Sequence, residues 1–240
     1  MRIPNLLELY HKLLNHFGSQ HWWPGDSPSE VIIGAILTQQ TAWKNVEKAI
    51  LNLKKEKLLT VEGIANADIA LLQKLVRPAG YYNQKSKRIK NVCKYLLKKY
   101  DANLDTFFDR DIKAIRNELL DMNGIGPETA DSILLYAGNL PIFVVDAYTI
   151  RVCKRLGIKI GDDYEEVQRF FEKNLSKNEK SISKKVKLYN EYHALIVALG
   201  KNYCKNKKPL CEMCPLVDVC DYGRGIKHMK KRPQKYSNNN

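Results

Sequence analysis

No run of apolar residues in this 240-residue chain is long enough to cross a bilayer. The longest, Val31 to Leu37, covers about one third of the roughly 20 residues that a spanning helix needs. A secretory signal is also missing, because Glu8, His11, Lys12 and Asn15 break up the first apolar segment. Sheet-type alternation is weak and no internal repeat is found. Acidic residues are the scarcer charge, 26 Asp and Glu against 40 Lys and Arg. Together these absences argue against a membrane protein, a secreted protein and an all-β domain. What is present is 44% hydrophobic and 28% charged residues, enough for the core of one large domain or two modest ones.

The formal charge of +14 points to a polyanionic partner, since neutralising phosphates releases counterions and strengthens binding. Cysteine usage is just as uneven. Four of the six cysteines, Cys204, Cys211, Cys214 and Cys220, fall within 17 residues as Cys-x6-Cys-x2-Cys-x5-Cys. In a chain of this size without a signal, the group reads as a metal site rather than a set of disulfides. Four thiolates suit a [4Fe–4S] cluster, with zinc as the alternative metal. Cys93 and Cys153 stand alone in apolar helical patterns and read as core.

Helical periodicity dominates the chain. Apolar residues mark a helix over Leu6–Phe17, a loop follows over His21–Pro28, and a buried helix runs from Ser29 to Leu37 with Ser27 or Ser29 as its cap. Further helices are expected over Thr41–Leu53, Val61–Ala65, Asp68–Val76, Gln84–Tyr100 (basic residues on the outer face), Ile112–Asp121, Glu128–Ala137, Ala147–Leu156, Tyr164–Leu175 and Lys187–Leu199. Residues 142–145 read as a strand or a buried extended connector. Lys230 to Asn240 reads as a frayed tail.

The turn Met122-Asn123-Gly124-Ile125-Gly126 joins two of these helices, and Pro127 stands at a first-turn position that tolerates it. Glycines on both sides of Ile125 permit backbone conformations that side chains forbid. Ile125 can then point inward while free N–H groups of the turn and of the next helix face a phosphate. A plain helix–helix turn is the alternative.

The run Leu120 to Ala130 resembles the helix-hairpin-helix of the endonuclease III superfamily of DNA glycosylases. Val144-Val145-Asp146-Ala147-Tyr148, the Gly34–Gln40 and Gly80–Lys85 segments, His193 and the four cysteines follow in the superfamily's order. Asp146 lies 18 residues after Glu128, the separation that places a carboxylate at the cleft mouth in such proteins. The resemblance implies an all-α, two-lobed helix-hairpin-helix DNA glycosylase fold with an iron–sulfur cluster loop. One lobe would span residues 28–138. The other would combine residues 1–27 with 139–240, and damaged double-stranded DNA would lie across the cleft between them. It also makes the cluster iron rather than zinc, and the protein a monomer, cytoplasmic and nucleoid-associated in a prokaryote. Lys205, Lys207 and Lys208, between the first two cluster cysteines, would meet DNA phosphates.

Bifunctional members carry a lysine two residues after the second hairpin glycine. Glu128 stands there instead, and a carboxylate cannot form a Schiff base. The chemistry would then rest on Asp146, whose charge can stabilise an oxocarbenium-like sugar and orient water. An N-cap is the other use of an Asp in this position, and the two are compatible.

Trp22-Trp23-Pro24, the segment from Ala35 to Trp43 and the run Glu128 to Ile133 resemble the 3-methyladenine DNA glycosylase branch. There the matching aromatics and proline form a stacking pocket, which here would be Trp22, Trp23, Pro24 and Trp43, with Glu128 shaping it. Core packing is the alternative use of a tryptophan. Alkylation at purine N3 or N7 makes the base cationic, and indole faces attract cations. Gln40 and Tyr81 match the residues that fill the gap and wedge the opposite strand when a base is extruded. A helix-end hydrogen bond and an exposed loop aromatic are their alternatives. Lys201 is a candidate for the cleft. The expected activity is hydrolysis of the N-glycosidic bond of a damaged, N-alkylated purine without strand cleavage. Its rivals are an endonuclease III-like glycosylase/lyase or mismatch glycosylase, and a non-catalytic DNA-structure binder.

Overall fold

The computed structural model describes residues 5–177 and 179–230 and is helical among those residues. In chain order the α-helices are α1 Leu6–Phe17, α2 Pro28–Thr38, α3 Trp43–Lys55, α4 Val61–Asn66, α5 Ile69–Val76, α6 Tyr82–Tyr100, α7 Leu104–Phe108, α8 Ile112–Leu120, α9 Pro127–Ser132, α10 Ala147–Leu156, α11 Tyr164–Leu175, α12 Ile182–Asn202 and α13 Asp221–Lys230. No described helix is long and apolar enough to cross a membrane. Except for Lys230, which ends α13, the expected C-terminal tail lies outside the described residues.

Local chemistry explains most helix ends. Asn5, Ser27, Thr60, Asp68, Asn103, Asp111, Asp146 and Asp163 each accept a hydrogen bond from a backbone N–H of the first turn that follows. Ser27, not Ser29, caps α2, with Pro28 in the first turn.

Where helix ends depart from expectation, the cause is visible. α3 starts at Trp43 rather than Thr41 because Gln40 takes a left-handed conformation with φ of 52°. Tyr81, φ 45°, precedes α6, which starts two residues earlier than the basic pattern suggests. α12 begins at Ile182, where the Ser181 hydroxyl accepts from the Lys184 N–H at 3.4 Å. The helix expected to run on to Ala137 instead changes into a π-turn over Ile133–Ala137. The short α7, capped by Asn103, was not legible from periodicity, and neither was α13. Residues 142–145 form no strand and are a buried connector.

Backbone contacts divide the chain into two compact units. One comprises residues 23–144 with 181–186. At its centre α2 is apolar on all sides, Val31 to Leu37 being buried, as expected of a helix surrounded by others. It packs on α3, α6, α9 and the π-turn, while α4 and α5 lie on α6. Each fully buried Leu or Ile there contributes roughly 1.5–3 kcal/mol. The other unit comprises residues 1–22, 145–180 and 187–240. In it α1 packs on α11 and α10 on α13, and the ring of Tyr192 meets Tyr10 and Phe171 edge-on at 5.4 and 5.8 Å.

Candidate active site

Asp146 caps α10 and is 9% exposed. Its Oδ1 accepts from the Thr149 N–H at 2.7 Å and from the Thr149 hydroxyl at 2.9 Å. Its Oδ2 lies 3.5 Å from His193 Nε2 on α12. Burial alone would raise the carboxyl's pKa. The His193 ring and the two Thr149 donors outweigh burial and hold it below the usual carboxylate range. The cap and the charged group are thus the same side chain. Sequence reasoning gave His193 no role; a lone histidine 47 positions away carries no local signal.

Farther along α12, Gly200 brings the backbone against the ring of Tyr148, so closely that a Cβ would overlap it. The Lys201 ammonium then stands over the Trp22 indole, 5.5 Å from the ring centroid. Trp22 is half-buried rather than core. The direction of Lys201, unreadable from sequence, is therefore toward one of the expected pocket aromatics.

In the other unit, Trp23, Pro24 and Trp43 line a cavity of about 280 Å³ together with Glu30, Gly34, Glu47, Ile50, Leu51 and Lys54. Trp23 meets Trp43 edge-on at 5.2 Å and Tyr136 at 5.4 Å. Lys54 bridges Asp26 at 2.7 Å and the buried Glu30 at 2.9 Å. Three of the five expected pocket residues thus share one cavity. Its lining among the described residues includes neither Trp22 nor Glu128, which is exposed on α9.

The hairpin turn has Gly124 at φ 85°, where a Cβ would also overlap the Arg88 side chain. Ile125 is buried, as its inward-pointing role requires, and Asn123 and Gly126 are exposed. The Ile125 N–H bonds Met122 O at 3.0 Å, so it is not among the free donors expected of the turn. Gln40 and Tyr81 are both exposed, Tyr81 by 62%.

Lys205, Lys207 and Lys208 are exposed, and the four neighbouring cysteines are half-buried. Arg155 Nη1 donates to Cys204 Sγ at 3.2 Å and to Lys205 O at 2.8 Å, and Arg151 Nε donates to Cys204 O at 2.8 Å. The Cys220 thiol donates to Arg155 O at 3.1 Å. Burial, then the other three cysteines, push the Cys214 thiol up to about 11 against a backbone hydrogen bond that lowers it. Among the described residues, however, no three His, Cys, Asp or Glu side chains converge as ligands for one metal ion.

Residues 33–177 match the HhH-GPD superfamily of base excision DNA repair proteins. The chain belongs to this superfamily. As an HhH-GPD protein it is a base excision repair DNA glycosylase with the family's all-helical fold. MJ1434 of Methanocaldococcus jannaschii, whose name provisionally makes it a DNA repair glycosylase, is 49% identical over 90% of this chain and 95% of its own length. Endonuclease III of Sulfolobus acidocaldarius is 31% identical over 80% of each. Among solved structures, the H. pylori 3-methyladenine DNA glycosylase MagIII bound to 1,N6-ethenoadenine is 34% identical. Its TM-score is 0.71, over 82% of this chain and 95% of that one. A trapped covalent complex of endonuclease III with DNA is 25% identical with a TM-score of 0.74, over 95% of this chain and 100% of that one. The HhH-GPD match spans both the hairpin and Asp146 and stops before the four clustered cysteines.

Proposed function

We propose that this glycosylase hydrolyses the N-glycosidic bond of N-alkylated purines of the 3-methyladenine type and leaves the abasic strand uncut. The observation that carries the substrate is the aromatic cavity within residues 23–144, walled by the indoles of Trp23 and Trp43 with Pro24. A flat cationic base gains roughly 0.5–2 kcal/mol on such a face. The resemblance to MagIII supports the same class. Because the alkylated base is already a good leaving group, acid catalysis on the base matters little. The ionised Asp146 stabilises the positive sugar and orients the water, with Thr149 and His193 holding it. Glu128 supplies no amine, which removes the route to a Schiff base. Gln40 and Tyr81 enter the duplex as the base leaves. The hairpin and the exposed Lys205, Lys207 and Lys208 bind phosphates of double-stranded DNA without regard to sequence.

The four cysteines would hold a [4Fe–4S] cluster. What supports iron over zinc is the Cys-x6-Cys-x2-Cys-x5-Cys spacing, which resembles the cluster loop of endonuclease III. The Arg155 hydrogen bond to Cys204 suits a thiolate ligand. When bound, such a cluster gives the loop a covalent framework. Metal analysis of anaerobically purified protein should find about four irons per chain. Stoichiometric zinc without iron would refute the assignment.

Duplexes each carrying one lesion, scored for released base and for strand nicks, test the function. Release of alkylated purines alone, with the strand intact, is expected. Release of oxidised or mismatched bases with nicking would establish the lyase reading instead.

A further inference from the structure

The basic residues of α6 do not all face outward. Lys85 is 1% exposed. Its ammonium donates to Leu37 O at 2.7 Å, to Thr41 Oγ1 at 2.7 Å and to Ala79 O at 2.8 Å, which uses all three N–H bonds. The Thr41 hydroxyl donates in turn to Ala79 O. Burial, with Arg88 nearby, lowers the Lys85 pKa to about 8, so keeping a charge here opposes folding. An apolar side chain would be cheaper to bury but could not tie these three acceptors together.

The acceptors lie at the end of α2, on the loop that follows it, and on the 3-10 turn over Arg77–Ala79. Leu37 and Thr41 flank Gln40, and Ala79 stands two residues before Tyr81. Gln40 and Tyr81 both adopt left-handed backbone, a conformation that a residue with a side chain disfavours. Strain of this kind persists only where surrounding contacts over-determine it. One helical turn later, Arg88 Nη1 donates to Gln39 Oε1 at 2.6 Å. Gln39 Nε2 donates to Gly124 O at 2.9 Å and to Thr129 Oγ1 at 3.0 Å. One face of α6 thus fastens the Gln40 loop, the Tyr81 loop and the hairpin turn.

We propose that Lys85 and Arg88 are positioning residues for base extrusion, holding Gln40 and Tyr81 as a rigid pair in register with the phosphate-binding turn. The proposal rests on the reading that Gln40 and Tyr81 enter the duplex. Pre-set probes unstack DNA without first ordering their own loops, so loosening them slows extrusion and leaves the chemical step intact.

The test compares single-turnover release of 7-methylguanine from a paired duplex and from one in which the lesion faces an abasic site, where extrusion is easier. Lys85→Met and Arg88→Met should each lose ~10–10²-fold on the paired duplex and about threefold or less on the other. A parallel readout needs no catalysis: 2-aminopurine beside an uncleavable abasic analogue should brighten less on binding the variants than on binding the wild type. Thr41→Val removes one strut while the Lys85 ammonium keeps its two carbonyl acceptors, and should show the same asymmetry if Lys85→Met fails to fold. Equal losses on both duplexes would mean a purely structural role and would overturn the proposal, as would no loss on either. Gln40→Ala and Tyr81→Ala separate the two levels. If they lose activity on the paired duplex and unstack 2-aminopurine poorly while Lys85→Met, Arg88→Met and Thr41→Val do neither, the positioning proposal fails alone. If they behave as wild type in both assays, the reading beneath it fails as well.

Discussion

Asp146→Asn is expected to lower base release by ~10²–10⁴-fold while leaving the fold and DNA affinity nearly unchanged. The amide keeps the oxygen that caps α10 through Thr149, so the helix start survives. What disappears is the negative charge proposed to face the sugar as its bond breaks. Rates on alkylated DNA, beside binding to an undamaged duplex, measure the two effects separately. Full activity in Asp146→Asn would reduce this residue to a cap. His193 supplies a companion test with a definite sign. In the native protein Asp146 is held below the usual carboxylate range, so it stays ionised as the pH falls toward that range. Its contribution to stability is present above the unfolded pKa and is lost as pH falls through the lower, folded one. His193→Gln removes the imidazole and leaves burial less opposed, so the acid limb of the rate profile should move to higher pH. An unmoved limb would show that Thr149 suffices. In the same series, borohydride should trap no covalent complex with the native enzyme, because Glu128 stands where an amine would be needed. Efficient trapping would reveal a nucleophilic lysine elsewhere.

The largest loss of stability is expected from Arg116→Met. Asp131, fully buried on α9, accepts from Arg116 Nε at 2.6 Å and from Arg116 Nη2 at 3.1 Å, a forked pair that ties α8 to α9. Removing the guanidinium leaves a carboxylate in the interior without its main counter-charge, at a cost of ~3–5 kcal/mol. For a chain of this size that lowers Tm by on the order of 6–20 °C, read by thermal unfolding. Replacing both partners, as in Arg116→Met with Asp131→Leu, should recover much of the loss, since no charge then stays behind. A single variant as stable as the native protein would mean that Asp131's remaining interactions carry the helix pair.

Features set by near neighbours in sequence were legible. Asp146 precedes and caps a clear helix, and Gly124 and Gly126 flank a buried Ile125. Residues whose role depends on distant partners were not. His193 acquires meaning only when α12 passes the first turn of α10. Lys85 reads as part of a solvated basic face, because periodicity counts charge and cannot see that three oxygens distant in sequence converge on one ammonium. The pocket was half legible for the same reason. Trp23, Pro24 and Trp43 meet around one cavity, whereas Trp22, their neighbour in sequence, pairs with Lys201. The cap of α7 was available in Asn103, but a five-residue helix has too few turns to display a period.

Helix α10 joins two parts of the molecule that chemistry would treat separately. At its first turn stands the carboxylate proposed to act on the sugar. In its last two turns, Arg151 and Arg155 grip the main chain of the cysteine loop at Cys204, Lys205 and Asn206. The ten residues of α10 make a strut about 15 Å long. A strut transmits displacement even where no electron or proton passes. Oxidative damage that reorders residues 204–220 would therefore tilt the carboxylate proposed to act on the sugar from a distance, and a cell that lost the loop's integrity would hold a repair enzyme that grips phosphates less firmly and aims poorly.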